Sequence, residues 1–318
     1  MHINEFIGND AVTGQIEAAM ANGTLPHAVI IEGEKGTGKA TLARILASYC
    51  VCTGESRPCG KCPGCMKAEH NSHPDIFVTD GNDPGGLNIE TIRRIRSDAY
   101  IIPNEAPTKC FILLNCDKML APSQNAFLKI LEEPPANVMF VMTVTSANML
   151  LQTVRSRSRI YSLCPPPPEQ AAEYLSAHMT EYSYEEILNA AQHCAGNIGK
   201  TEETLRNGGE EASRLADEIF RALVSGREYD VLVLTSRLSA GRPFASSVLD
   251  FMTENAAECV RASAGLHTDN TAAKQLASVM PSGKIIQLAD NISRAREILQ
   301  TNVNLSFFGT WLSSVLKV

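Results

Sequence analysis

Aromatic residues are scarce in this chain: they make up 6% of 318 residues, and only one is tryptophan. None is interleaved with basic residues in a cluster, which argues against a base-stacking surface. Excess positive charge is also missing. Lys plus Arg is 28 against 35 for Asp plus Glu, a formal net charge of −7, which disfavours a dedicated nucleic-acid coat. No run of about 18 apolar residues occurs, so no membrane span is expected. The first ten residues are polar and acidic rather than basic and then apolar, so no signal peptide is expected and the cytoplasm is the expected location. There is no internal repeat and no low-complexity tract. With 44% hydrophobic and 20% charged residues, disordered and collagen-like classes are excluded.

Cysteine, by contrast, is plentiful, at ten residues. Cys50, Cys52, Cys59, Cys62 and Cys65 fall close together, whereas Cys110, Cys116, Cys164, Cys194 and Cys259 are scattered. In a reducing compartment clustered cysteines bind metal more often than they pair. The scattered five read as small buried apolar residues. Cys59, Cys62 and Cys65 are separated by two-residue gaps, and a fourth thiolate from Cys50 or Cys52 would complete a tetrahedral Zn²⁺ site. Such a metal folds a short insertion and has no redox role. An iron–sulfur cluster would want a further cysteine soon afterwards, and residues 66–75 contain none.

The first half alternates strand-like and helix-like patterns. His27–Ile31, Asp75–Thr79, Phe111–Leu114 and Val138–Val144 read as buried strands. Thr41–Tyr49, the Ile89/Ile92/Ile95 stretch and Ser123–Leu131 read as helices. This alternation predicts a parallel sheet covered on both faces. Pro165–Pro168 break the pattern. Two short helices follow, the second opened by Ser183 with Glu186 three residues on, a capping-box spacing. From about Glu202 the pattern is helical. Leu215, Ile219 and Leu223 share one face, and Ile285, Ile286, Ala289, Ile292, Ala295 and Leu299 form a stripe. A last helix is expected over Asn304–Leu316.

Between a strand and a helix lies Gly33-Glu34-Lys35-Gly36-Thr37-Gly38-Lys39-Ala40-Thr41. Such glycines let backbone N–H groups face phosphate oxygens, the helix start adds partial positive charge, and Lys39 reaches the outer phosphates. Gly33, Gly36, Gly38, Lys39 and Thr41 are the candidate phosphate-binding residues. The residue after the lysine is Ala40, where a metal-holding hydroxyl is required; Thr41 is one step on, about 100° round the helix. The loop can cradle ATP or ADP, or survive as a turn that binds neither. The acidic pair a hydrolytic site needs at the next strand end is also missing. Leu114 and Asn115 stand there, and Asp117 reads as a helix cap.

Together these features resemble the bacterial clamp-loader ATPase family of AAA+ proteins. Leu25-Pro26-His27-Ala28 is similar to the family's lead-in to the phosphate strand. The eight-residue gap from Cys50 to Cys59 matches the family's zinc module and selects Cys50, Cys59, Cys62 and Cys65. His73-Pro74-Asp75 follows, as in the family, and the run from Ser123 to Pro135 resembles its most recognisable stretch. Ser156-Arg157-Ser158 falls where clamp loaders carry Ser-Arg-Cys, whose arginine reaches a neighbouring subunit's nucleotide. Gly199, in Gly196-Asn197-Ile198-Gly199-Lys200, takes the place of a phosphate-sensing arginine. The resemblance implies an α/β P-loop (AAA+) domain over 1–164 with a zinc module at about 50–65. A small helical lid over 165–203 and an all-α collar over 204–318 would follow.

For function, the resemblance implies a non-hydrolysing, stator-like subunit of the DNA polymerase III clamp loader. It would supply Arg157 in trans while the sliding clamp is loaded on primed DNA. Its partners would be motor subunits (gamma/tau), the delta subunit and, through the assembly, the clamp and primer–template DNA, with no membrane. One rival is an active motor ATPase of the same family. A second is a zinc-containing nucleic-acid binder. A third, an unrelated P-loop enzyme, leaves the Ser123–Pro135 run unexplained.

Overall fold

Consecutive apolar residues in a strand send alternate side chains to opposite faces, and both faces are covered here. The computed structural model describes residues 3–268 and 270–316. The first of two units comprises Met1–Thr180 and Cys194–Lys200. Its elements are α1 (Asp10–Ala21), β1 (Ala28–Glu32), α2 (Lys39–Val51), α3 (Pro63–Glu69), β2 (Ile76–Asp80), α4 (Ile89–Ala99), β3 (Lys109–Leu114), α5 (Ala121–Glu132), β4 (Val138–Val144), α6 (Gln152–Arg155), β5 (Arg159–Ser162) and α7 (Pro168–Ser176). The five strands run parallel in the order β2-β3-β4-β1-β5.

On one face Ile30, Phe111, Leu113 and Phe140 pack with Ile92 and Ile95 of α4 and Phe127 and Ile130 of α5. On the other, Val29, Ile31, Ile112 and Val141 pack with Ile16 of α1 and with Leu42, Ile45 and Leu46 of α2. Phe77, Phe111 and Phe140 are register partners on three neighbouring strands. Their rings stack at 5.0 and 5.5 Å.

The parallel sheet is as expected, with two differences. β2 is an edge strand, half-buried rather than enclosed, with Val78 52% exposed. β5 forms the other edge; at four residues and largely exposed, it has no apolar run to announce it. The proline run after it has two effects: the strand ends at Ser162, and Pro168 opens α7, where a missing N–H costs nothing. Cys164 is exposed, unlike the buried Cys110, Cys116 and Cys259.

Asp75 has a role that its local sequence does not reveal. It is fully buried. Its carboxylate accepts backbone N–H bonds from Asn104 (2.6 Å), Glu105 (2.8 Å) and Ala106 (2.9 Å), and a fourth from the Asn104 side chain (3.0 Å). Its own N–H donates to His73 Nδ1 at 3.0 Å. This ties the start of β2 to the loop before β3. Lys109, also buried, donates to the carbonyls of Asp98 and Ile101 at the end of α4.

The second unit comprises Glu181–His193 and Thr201–Val318, so the two units share residues 165–203, read from sequence as a separate lid. The remaining helices are α8 (Tyr184–His193), α9 (Ile198–Arg206), α10 (Gly209–Ser225), α11 (Glu228–Ser236), α12 (Arg242–Ser263), α13 (Thr271–Val279), α14 (Ser282–Leu299) and α15 (Leu305–Val315). The capping box forms: Glu186 accepts from Ser183 N and Oγ, both at 2.7 Å, and Glu186 N donates back at 3.3 Å. The core joins Leu215, Ile219 and Phe220 to Val248, Met252, Ile292 and Leu312. Ile286 leaves the expected stripe and is 53% exposed, while Leu288 takes the inward position. Among the described residues no helix is long and apolar enough to cross a membrane.

Asp75 makes acid sensitivity predictable. Burial alone would push its carboxyl up. The N–H groups of Asn104, Glu105 and Ala106 outweigh burial and hold it below the usual carboxylate range. A carboxyl depressed by folding stabilises the fold above its unfolded pKa and loses that stabilisation as pH falls through the folded value. Asp75→Ala should cost about 2–3 kcal/mol at neutral pH. The gap to wild type should narrow below about pH 4, as read by urea unfolding across pH.

Candidate nucleotide loop, cysteine cluster and exposed arginine

The phosphate-type loop connects β1 to α2. Gly36 and Gly38 hold left-handed backbone at φ 92° and 86°, which glycine adopts without strain. Lys39 opens α2 and turns back on its own loop, donating to the carbonyls of Gly33 (2.6 Å) and Glu34 (2.7 Å). Burial lowers the pKa of its ammonium, against the pull of the Asp117 and Glu34 carboxylates. Ala40 and Thr41 follow within α2.

The segment around Gly199 lies directly on this loop. Asn197 Nδ2 donates to Lys35 O at 2.9 Å, Gly199 N to Gly36 O at 3.0 Å, and Lys200 Nζ pairs with Glu34 at 2.8 Å. A Cβ on Gly199 would stand 2.6 Å from Gly36 Cα, and one on Gly36 would stand 2.2 Å from Asn197 Oδ1. The two backbones touch because neither residue has a side chain.

At the neighbouring strand ends the polar groups are engaged with one another. Asn115, just past β3, donates Nδ2 to Asp80 Oδ1 at 2.7 Å. Asp117 was expected to cap a helix. Instead it lies inside a 3₁₀ turn (Cys116–Lys118) and accepts from Thr145 N and Oγ1, both at 2.8 Å. It thereby ties the ends of β3 and β4 together. Glu32, the last residue of β1, accepts from Ala147 N at 2.6 Å.

Arg157 is at the opposite edge of the sheet. Arg159 opens β5 opposite Val29 near the start of β1, and Ser162 lies opposite Glu32 at its end. Roughly 10 Å of strand therefore separates the Arg157 side from the loop side. The guanidinium donates to Thr153 O (3.0 Å) and Ser156 Oγ (3.3 Å) and pairs with Glu132 at 2.9 Å, its side chain 36% exposed. The segment leading to α6 is pinned by Gln124 of the recognisable α5 run. Buried Gln124 donates to Met119 O at 2.8 Å and accepts from Leu151 N at 2.7 Å. His27 reaches Leu131 O at the end of the same helix at 3.2 Å.

The cysteine cluster corrects the expected ligand set. The sulfurs of Cys52, Cys59, Cys62 and Cys65 lie within 4.8 Å of one another. Cys50 is not among them: it is buried in α2 with its Sγ 3.3 Å from Met139 Sδ. The reason is helix register. Leu42, Leu46 and Cys50 follow at i, i+4, i+8 and share the sheet-facing side. Continuing the Leu42/Leu46 periodicity by one step would have assigned Cys50 to the core. Cys52, just past the end of α2, is free to turn into the cluster.

The donor set fits Zn²⁺. A tetrahedral ZnS₄ centre with about 2.3 Å bonds has sulfurs about 3.8 Å apart, and Cys52 and Cys62 are 3.9 Å apart. Backbone N–H groups point at the sulfurs: Gly54 and Cys59 to Cys52, Cys62 to Cys59, and Cys65 to Cys62, at 3.3 to 3.4 Å. Such bonds favour thiolates. At Cys62 burial opposes them, yet the N–H groups of Cys65 and Thr53 bring the thiol down to about 5. Burial pushes Cys65 up to about 12.

Two outcomes follow from this geometry. Cys52→Ala should lose bound zinc and Cys50→Ala should keep about one ion per chain, as counted by elemental analysis of the purified proteins. Gly199→Ala should lower thermal stability by about 1–3 kcal/mol through overpacking against Gly36, as read by calorimetry. A stability equal to wild type would show that the contact gives way without cost.

Residues 8–167, half of the chain, match the protein family described as "DNA polymerase III, delta subunit". The delta' subunit of DNA polymerase III from Bacillus subtilis is 32% identical over 176 residues, 53% of this chain and 53% of that protein. The Escherichia coli delta' subunit is 30% identical over 176 residues, 54% and 52% of the two chains. The gamma/tau subunit of Mycobacterium tuberculosis is 31% identical over 166 residues, 52% of this chain and 29% of that one. The chain thus spans about half or less of the curated relatives it matches. A gamma subunit-related protein of Thermotoga maritima shares the fold along 96% of this chain and 98% of its own, with TM-score 0.50 and 16% identity. By the match over residues 8–167, on a parallel sheet with a phosphate-type loop after β1, and by its similarity to delta' and gamma/tau subunits, the chain belongs to the DNA polymerase III delta-subunit family.

Proposed function

We propose that this chain is a delta'-like, non-hydrolysing subunit of the DNA polymerase III clamp loader. In this reading it acts as a stator and donates Arg157 to the nucleotide site of a neighbouring motor subunit. The observation that carries the reading is the end of β3. Hydrolysis needs carboxylates there to hold a metal and polarise water; Leu114 and Asn115 stand in their place, and Asn115 donates an amide N–H to Asp80. Ala40 lacks the hydroxyl that would ligate the metal. Gly199, against the backbone of Gly36, leaves no room for a sensing side chain. The trans role is supported by the separation of Arg157 from the chain's own loop, at opposite ends of the strands.

The remaining parts take supporting roles. Gly33, Gly36, Gly38 and Lys39 would cradle phosphates without cutting them. Cys52, Cys59, Cys62 and Cys65 would hold a structural Zn²⁺, which supplies folding energy to the insertion and no catalysis. Partners would be gamma/tau motor subunits and delta, with the sliding clamp and primer–template DNA engaged through the assembly, in the cytoplasm. The helical second unit would serve as the collar that holds subunits together. A second reading, an active gamma/tau-like motor, is favoured by the retained Lys39 and by gamma/tau relatives as similar as the delta' ones.

Steady-state ATPase separates the two. The isolated chain should be silent. In the loader reconstituted with motor and delta subunits, clamp and primed DNA, Arg157→Ala should lower the rate about tenfold or more. Robust hydrolysis by the isolated chain would establish the motor reading. A silent chain with an indifferent Arg157→Ala would leave an architectural subunit without a finger.

A further inference from the structure

We propose that Glu132 is a positioning residue for Arg157, holding its guanidinium outward in the geometry in which it meets a neighbour's phosphates; this rests on the trans-acting role proposed above. Glu132 is the last residue of α5 and Arg157 lies just past α6, and their side chains pair at 2.9 Å. Position is the first argument. The C-terminal end of a helix carries partial negative charge, so a carboxylate there is disfavoured unless a cation answers it. Arg157 answers it.

Donor arithmetic is the second argument. A guanidinium has five N–H donors in a rigid fork. Its NH1 group donates to Thr153 O and Ser156 Oγ, and NH2 meets Glu132. The NH1 donors are hydrogen-bonded and NH2 is held by the Glu132 charge, which together fix the plane of the fork. The Nε–H and NH2 side of the fork remains for a bidentate contact with phosphate oxygens. Without Glu132, the NH1 contacts to Thr153 and Ser156 alone leave the fork free to swing. Gln124 supports the arrangement by tying α5 to the segment before α6. Glu132 touches no reacting atom in this scheme; it acts through Arg157.

The test is a double-mutant cycle in the reconstituted loader with motor and delta subunits, clamp and primed DNA, using Glu132→Gln, Glu132→Ala, Arg157→Ala and Arg157→Ala with Glu132→Gln. Thermal unfolding and assembly by gel filtration serve as controls. The isosteric Glu132→Gln keeps the experiment decisive where the alanine variant folds poorly. An exposed ion pair of this kind predicts a kcat loss of about twofold to fivefold, with KM for ATP unchanged. In the Arg157→Ala background, Glu132→Gln should then have no effect. A loss with Arg157→Ala but none with Glu132→Gln would overturn the positioning role and leave the finger standing. Loss from neither would overturn both. A Glu132→Gln loss that persists without Arg157 would show that Glu132 acts by another route, and would also overturn the proposal.

Discussion

Five strands running the same way bring all their carboxyl ends to one edge of the sheet and all their amino ends to the other. That constraint governs this molecule. The loop of Gly33–Lys39, Asp80, Asn115 and Asp117 all follow strand ends on one edge, where parallel sheets collect ligands. Arg157, His27 and Glu132 gather at the other. A side chain on the second edge cannot fold back onto the first without crossing the sheet. Under the proposed reading a contact between Arg157 and a nucleotide is a contact between chains, and the two edges face different neighbours.

The loop edge is closed by its own hydrogen bonds. Asn197, Gly199 and Lys200 bond to residues 34–36, Asn115 bonds to Asp80, and Asp117 bonds to Thr145. In an active site those groups would face a metal and a water molecule. Here they stitch strand ends and loops together, which under the proposed reading turns a catalytic layout into a structural one. The cysteine cluster would do comparable work at the end of α2 if it holds the proposed metal. Four sulfurs and the N–H groups aimed at them would then order a loop that has little apolar surface of its own to bury.

Much of this was legible in the sequence. The alternating pattern predicted the parallel sheet, the Ser183/Glu186 spacing predicted its capping box, and the glycine spacing predicted the loop between β1 and α2. What stayed hidden depended on residues far apart in the chain. Asp75 reads as an ordinary acid until the N–H groups of residues 104–106, some thirty positions on, arrive at its carboxylate. β5 was missed because an exposed edge strand of four residues has no periodicity to read. The cysteine spacing leaves Cys50 and Cys52 open, and the family's module points to Cys50, whereas the register of the helix that carries Cys50 turns it into the core and leaves Cys52 for the cluster. Helix register is the stronger physical constraint, since it fixes the direction of the Cα–Cβ bond.

The contact between Gly36 and Gly199 also bears on how such a chain can change over generations. With no side chain at either position, the two backbones close to a distance that a Cβ at either one would disturb. An arginine at 199 would bring its Cβ to 2.6 Å from Gly36 Cα, and would meet that clash before it could offer its charge to a phosphate. A hydroxyl restored at position 40 would gain nothing while Asn115 stands at the end of β3. On the proposed reading, a return to hydrolysis needs several substitutions together. Under the proposed reading the contact works as a ratchet, since sterics at positions 36 and 199 oppose the return of a phosphate-sensing side chain.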